Sequence, residues 1–222
     1  MNKITLFHGS SAQNIHPQFA AGNEKRDFGK GFYMTADREL AREWSAARPT
    51  TQKGYVCQFE LDLADLKILD FQKMNPLFWL AELMKHRAAG DSKRYRILAK
   101  YFIDTYAIDT SDYDVIKGWR ADASYFLLAK AFAKDEVDVS ILDEPLKTGE
   151  FETEYCLKSE KAFQHLKLIS EKLEIVDASF YQTQHNQRDR QARMKIKSLI
   201  DSDVNTVTNV FSTLGRNSLK EK

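Results

Sequence analysis

The segments of this chain that can form strands are short and follow no regular strand–helix rhythm, and that irregularity does most to limit its fold. Runs over residues 4–8, 31–35, 55–61, 66–71, 113–116, 154–158 and 166–169 have the length and apolar or aromatic content of strands. Leu40, Ala41 and Trp44 share one helical face behind Asp37, an N-cap residue, which predicts a helix through Ala47. Pro76 suits a helix's first turn, and Leu77, Trp79, Leu80, Leu83 and Met84 carry that helix to about Arg87. Residues 95–106, 125–133 and 185–200 also have helical spacing, while 11–30 read as an irregular loop rich in turn-formers. A doubly wound parallel sheet needs regular βαβ alternation, so the order of elements argues for an α+β fold.

Apolar residues make up 43% of the 222 residues and charged residues 29%, enough to bury one core. The expected division is a domain over residues 1–175 and a C-terminal extension over 176–222, helical and then frayed. No apolar run reaches bilayer length, and the first ten residues lack a signal peptide's apolar core, so a cytoplasmic protein without membrane contact is expected. Cys57 and Cys156 each sit inside a strand-like run about a hundred residues apart, which favours neither a disulfide framework nor a zinc site. The net charge of +1 is uneven: from Thr183 onward eight basic residues face four acidic ones, +4, against −3 for the rest. Such a tail suits an acidic partner or a nucleic acid, or else a solvated helix face.

Three segments carry chemistry. In Leu6-Phe7-His8-Gly9-Ser10 a histidine and a glycine end a strand, placing an imidazole beside unhindered backbone. In DFGKGFYMT, residues 27–35, Gly29 and Gly31 let the loop approach a ligand closely. No third glycine completes a dinucleotide fingerprint, and no P-loop lysine-serine pair follows. Tyr33 and Trp44, eleven residues apart, could face each other from a strand and the next helix and hold a flat cationic ring. They could equally be core aromatics. In EFETEYCLK, residues 150–158, Glu150, Glu152 and Glu154 alternate, so a strand would project all three from one face. Mutual repulsion there raises at least one pKa, unless the face is merely exposed. His16, His86, His165 and His185 show no ligand spacing and read as surface residues.

Together these segments resemble the ADP-ribosyltransferase superfamily, in its His-Tyr-Glu branch with diphtheria toxin and the poly-ADP-ribose polymerases. In that branch a His-Gly pair ends the first strand, a stretch close to FGKGIYFA carries the tyrosine with an aromatic eleven residues on, and a glutamate opens a later strand. The matching positions are His8-Gly9, Phe28 to Thr35 with Tyr33, Trp44, and Glu154 in TEYCLKS. The likeness extends to a bacterial group of uncharacterised domains of this fold, through DFGKGFYMT and SDYDVIKGWRADASYF, whose members often carry glutamine where this chain has Glu154. The Glu152-Thr153-Glu154 triplet also looks like the Glu-x-Glu turn of arginine-modifying toxins, which have arginine in the first motif.

The resemblance implies a split β-sandwich with peripheral helices and a C-terminal helical tail. It implies a mono-ADP-ribosyltransferase that consumes NAD⁺ without a metal and modifies a protein or a nucleic acid, RNA or DNA. Such a protein is expected to be a toxin or effector, of a toxin–antitoxin or phage-defence system, with a cognate antitoxin or inhibitor as a further partner. The alternatives are an NAD⁺ glycohydrolase, a non-catalytic NAD-binding module, or an interaction protein that uses its basic tail. By the resemblance Glu154 stabilises the oxocarbenium-like transition state, and His8 holds the adenosine ribose with Ser10 as a secondary contact. Gly9 holds the nicotinamide amide, Gly29 and Gly31 shape the loop, Tyr33 and Trp44 stack on the ring, and Glu152 orients or deprotonates the acceptor. The Gly118–Asp122 stretch is expected along the acceptor or NAD⁺ side of the cleft, or as a salt-bridged turn.

Overall fold

A computed structural model describes residues 2–87, 93–121, 125–133, 152–170 and 173–203. Gly149, Glu150 and Asp122, and nearly all of the frayed end expected of the last twenty residues, lie outside them. The strands are β1 (Lys3–Ser10), β2 (Phe32–Met34), β3 (Lys53–Asp62), β4 (Ile68–Asp70), β5 (Val115–Trp119), β6 (Thr153–Leu157), β7 (Leu166–Leu168) and β8 (Glu174–Asp177). The helices are α1 (Arg38–Ala46), α2 (Pro76–Arg87), α3 (Lys93–Tyr106), α4 (Tyr125–Ala133), α5 (Glu160–Gln164) and α6 (Ala178–Asp203). A 3₁₀ turn, Phe71–Lys73, follows β4.

The fold is α+β with two sheets. In the first, β3 pairs with β1 on one side and with both β7 and β8 on the other, all antiparallel. The second runs β2-β6-β5-β4, antiparallel except for the β4–β5 pair. One antiparallel bridge joins the sheets: the Phe7 N–H donates to the Thr35 carbonyl at 2.7 Å and the Thr35 N–H to the Phe7 carbonyl at 3.0 Å.

Strand periodicity sorts the side chains into layers. Leu6, Cys57, Phe59 and Leu61 of the first sheet meet Met34, Val115 and Leu157 of the second in a core between the sheets. The alternate residues of the second sheet, Tyr33, Ile116 and Cys156, face a larger core built with α2, α3 and α4. On the outer face of the first sheet Ala41 of α1 packs on Val56 and Val176. The two cysteines are free and buried, Cys57 between the sheets and Cys156 on the helix side.

Local chemistry sets the helix starts. The Asp37 carboxylate accepts the N–H groups of Glu39 and Leu40 at 2.8 and 3.3 Å, capping α1 as the sequence suggests. Asn75 caps the helix that Pro76 opens by accepting the Leu77 N–H at 3.0 Å. α2 is apolar nearly all round, and Leu77, Trp79, Leu80, Ala81, Leu83 and Met84 are buried. Among the described residues no helix is long and apolar enough to cross a membrane.

Four elements differ from the sequence expectation. The helix expected over 185–200 begins at Ala178, directly after β8. β8 and the short α5 have too few residues to show a period and were not expected. Strand pairing ends at Asp70, where the Asp70 side chain accepts the Gln72 N–H and turns the chain into the 3₁₀ segment. α6 is built into the body: Ala178, Ala192 and Ile196 are buried, and Ile196 joins the larger core.

Candidate active site

The site forms where the two sheets part, beside the bridge between Phe7 and Thr35. His8 lies two residues beyond Leu6 on β1 and stacks on Phe32 at 4.4 Å. Its Nδ1 lies 2.6 Å from the Tyr33 carbonyl oxygen. Burial holds the imidazole below its ordinary pKa, so the ring is neutral, Nδ1–H donates to that carbonyl, and Nε2 is left as an acceptor. Gly9 has a packing reason: a Cβ there would stand 1.8 Å from the Ala41 carbonyl oxygen of α1. Gly29 holds a positive φ of 72°. Its carbonyl accepts the Tyr33 hydroxyl at 2.6 Å, and that hydroxyl accepts the Phe28 N–H at 3.0 Å. The loop thereby fixes the Tyr33 ring on the helix-facing side of the second sheet.

Glu154 projects from β6 on that same side, pairing opposite Gly118 in the register. It is only 5% exposed, and its Oε1 meets no hydrogen-bond partner. Burial is the chief reason its carboxyl holds a proton well above the usual carboxylate range. The neighbouring Asp27 carboxyl adds to the effect, while Arg120 and Arg26 oppose it. Asp27 is itself buried and raised, yet it accepts from Arg87 Nη1 at 2.6 Å and from the Ala121 N–H at 2.7 Å. Those donors favour the ionised form at Asp27, so the pair's proton sits on Glu154. Among the described residues the repulsion on Glu154 comes from Asp27, at the head of the DFGKGFYMT segment, while the part expected of Glu150 lies outside the described residues.

Three adjoining compartments run along this seam, and Arg26 and Tyr33 line all of them. The first, about 230 Å³, includes His8, His16, Gln18, Gly31 and Phe32. The central one, about 100 Å³, is lined by His8, Gly9, Arg26, Tyr33, Trp44, Ala47, Arg120 and Glu154. The third, about 240 Å³, shares Ala47, Arg120 and Glu154 with the centre and adds Lys25, Asp27, Arg87 and His185. The centre alone is small, but the connected cleft lies in the size range of ligand sites, roughly 300–1,000 Å³. The Trp44 indole N–H is also buried without a partner, so the central compartment is lined by one orphan donor residue and one orphan acceptor residue. A separate hollow of about 270 Å³ behind the first sheet contains Arg38 and Glu174, which neutralise each other at 2.8 Å.

The structure thus brings together His8, Gly9, Tyr33, Trp44 and Glu154, with Gly31 in the adjoining compartment. Ser10 is not among the lining residues; its hydroxyl accepts the Ala12 N–H at 3.0 Å. Gly29 acts through the Tyr33 hydroxyl rather than by lining the cleft. Glu152 stands just outside β6, with Arg120 Nη1 on one oxygen at 2.7 Å and Arg188 of α6 on the other. Both Glu152 oxygens are thus occupied by guanidiniums of this chain. Arg120 also lies over the Trp44 ring at 5.6 Å. His16 and His185, read from sequence as surface residues, line the outer compartments, and His86 pairs with the buried Glu82 at 2.9 Å. Arg26, Lys25, Arg87 and His185 were not selected from sequence. Only Arg87 had a local signal there, as the last residue of the α2 pattern.

An α+β protein with two parted sheets and a buried carboxyl at their seam is the class that fold and site define. The chain belongs to the family described as a protein of unknown function (DUF3990), whose model matches residues 4–168. That span includes both sheets except β8, and every residue of the central compartment. No curated protein and no solved structure matches the chain.

Proposed function

We propose that this protein cleaves NAD⁺ and transfers ADP-ribose to a macromolecular acceptor. The observation that carries the reading is Glu154: a buried carboxyl with an unsatisfied oxygen, lining one small cleft compartment with Tyr33 and Trp44. A flat cationic ring between those aromatics is favoured by their quadrupoles. Its positive charge also favours ionisation of Glu154, reversing the effect of burial. The carboxylate then stands where positive charge grows as the bond from nicotinamide to the ribose anomeric carbon breaks. The orphan Trp44 N–H and the neutral Nε2 of His8 are available to polar groups of the dinucleotide. Arg26, exposed and shared by all three compartments, suits its diphosphate.

Incubation of the purified protein with labelled NAD⁺ and cell lysate tests the reading. Label retained on a macromolecule supports transfer, and free ADP-ribose alone supports the glycohydrolase alternative. Glu154→Gln is expected to lower NAD⁺ consumption by about 10²–10³-fold, the scale for losing one group that stabilises transition-state charge. Wild type and Glu154→Gln consuming NAD⁺ at the same rate would refute the proposal.

A further inference from the structure

We propose that the acceptor is an unpaired stretch of nucleic acid, entering through the third compartment beneath α6. The inference rests on the transferase reading. With adenosine on the His8 side and nicotinamide in the centre, the compartment that shares Glu154 but not His8 is left for the acceptor.

Its charge is the first argument. Lys25, Arg26, Arg87, Arg120 and Arg188 stand on or beside it, against Asp27, Glu43, Glu152 and, once NAD⁺ is bound, an ionised Glu154, so the cations stay in excess. Among the described residues Lys25 forms no ion pair and, with Arg26 given to the diphosphate, supplies the cationic capacity that remains after the internal pairs are made. The second argument is Glu152. A guanidinium acceptor would need a free carboxylate to hold it, and both Glu152 oxygens already carry arginines of this chain. Arg188 is braced further by Glu43 at 2.7 Å. The site repels an arginine side chain and attracts a phosphate. The third argument is α6, which supplies His185 to the compartment wall and opens the +4 segment. Arg188 and Lys195 lie seven residues apart, along one edge of that helix. A space of about 240 Å³ admits a nucleotide but not a duplex, so the strand must be unpaired or flipped.

The test has two arms. In the first, wild type with labelled NAD⁺ meets single-stranded RNA, single-stranded DNA, a duplex of the same sequence, or an arginine-rich peptide. Label is expected on one of the single strands, and the RNA and DNA arms identify the sugar. Label on the peptide, with none on the oligonucleotides, would overturn the proposal and leave the transferase reading standing. No NAD⁺ consumption with any acceptor or with water alone would bring down both. The second arm needs no catalysis: fluorescence anisotropy of a labelled single strand against salt. Lys25→Glu is expected to weaken binding and to reduce the slope of log Kd against log salt by about 1, as for one lost phosphate contact. Binding that neither salt nor Lys25→Glu alters would also overturn the proposal.

Discussion

Replacing Glu154 by glutamine should stabilise this protein, and by an amount that grows with pH. The buried carboxyl keeps its proton well above the ordinary range, whereas in the unfolded chain it titrates near the ordinary glutamate value of 4.5. Between those two pKa values the folded state holds a proton that the unfolded state has released. Stability is therefore withdrawn as pH rises, by up to ~1.4 kcal/mol per pH unit for one proton. For a chain of 222 residues, ~1 kcal/mol corresponds to roughly 2–4 °C in Tm, so the window loses about 3–6 °C per pH unit. Glutamine has no proton to lose. The substitution also takes away the carboxyl that shares the pair's proton with Asp27, so the difference between the proteins contains both halves of the pair. Arg26, Arg120, Tyr33 and Cys156 are the charged and titratable groups that face Glu154 alongside Asp27, and all are kept in the variant. Thermal unfolding of both from pH 5 to pH 8 is the assay. The Tm difference should favour Glu154→Gln, widen with pH and level off at the folded-state pKa. Parallel curves, or a wild type that gains on the variant as pH rises, would refute the assignment of a retained proton to the pair.

The same titration should appear in activity: initial rates of NAD⁺ consumption rise with pH as Glu154 ionises, and a rate falling across that range contradicts the carboxylate's role. Tyr33→Phe keeps the ring but leaves the Phe28 N–H and the Gly29 carbonyl without their hydroxyl partner, at a cost of about 2 kcal/mol in urea unfolding. Gly9→Ala drives a methyl into the Ala41 carbonyl, so its Tm should fall by more than an exposed Gly→Ala change would cause. Ile196→Ala should cost about 2–4 kcal/mol by chemical denaturation, because α6 is part of the larger core; a change near zero would mean the helix is a detachable tail.

Much of the fold was legible locally. Asp37 and Pro76 act through hydrogen bonds and a fixed φ within a few residues of themselves, so they mark helix starts whatever the surroundings. The positions of Tyr33, Trp44 and Glu154 could be selected because their segments carry glycine, aromatic or alternating patterns. Which of those residues meet was set by pairing across long separations. β2 lies on β6, which places Tyr33 and Glu154 on one face of the second sheet, and the Phe7–Thr35 bridge brings His8 to their edge. Glu150, Glu152 and Glu154 are equivalent in a period-two pattern. Of the two that lie among the described residues, only packing buries Glu154 beside Asp27 and commits Glu152 to Arg120 and Arg188. The chain alone thus determined an α+β set of elements and a short roster of reactive side chains. Tertiary structure decided which carboxyl keeps a proton, because desolvation and the nearest opposite charge depend on distances in space.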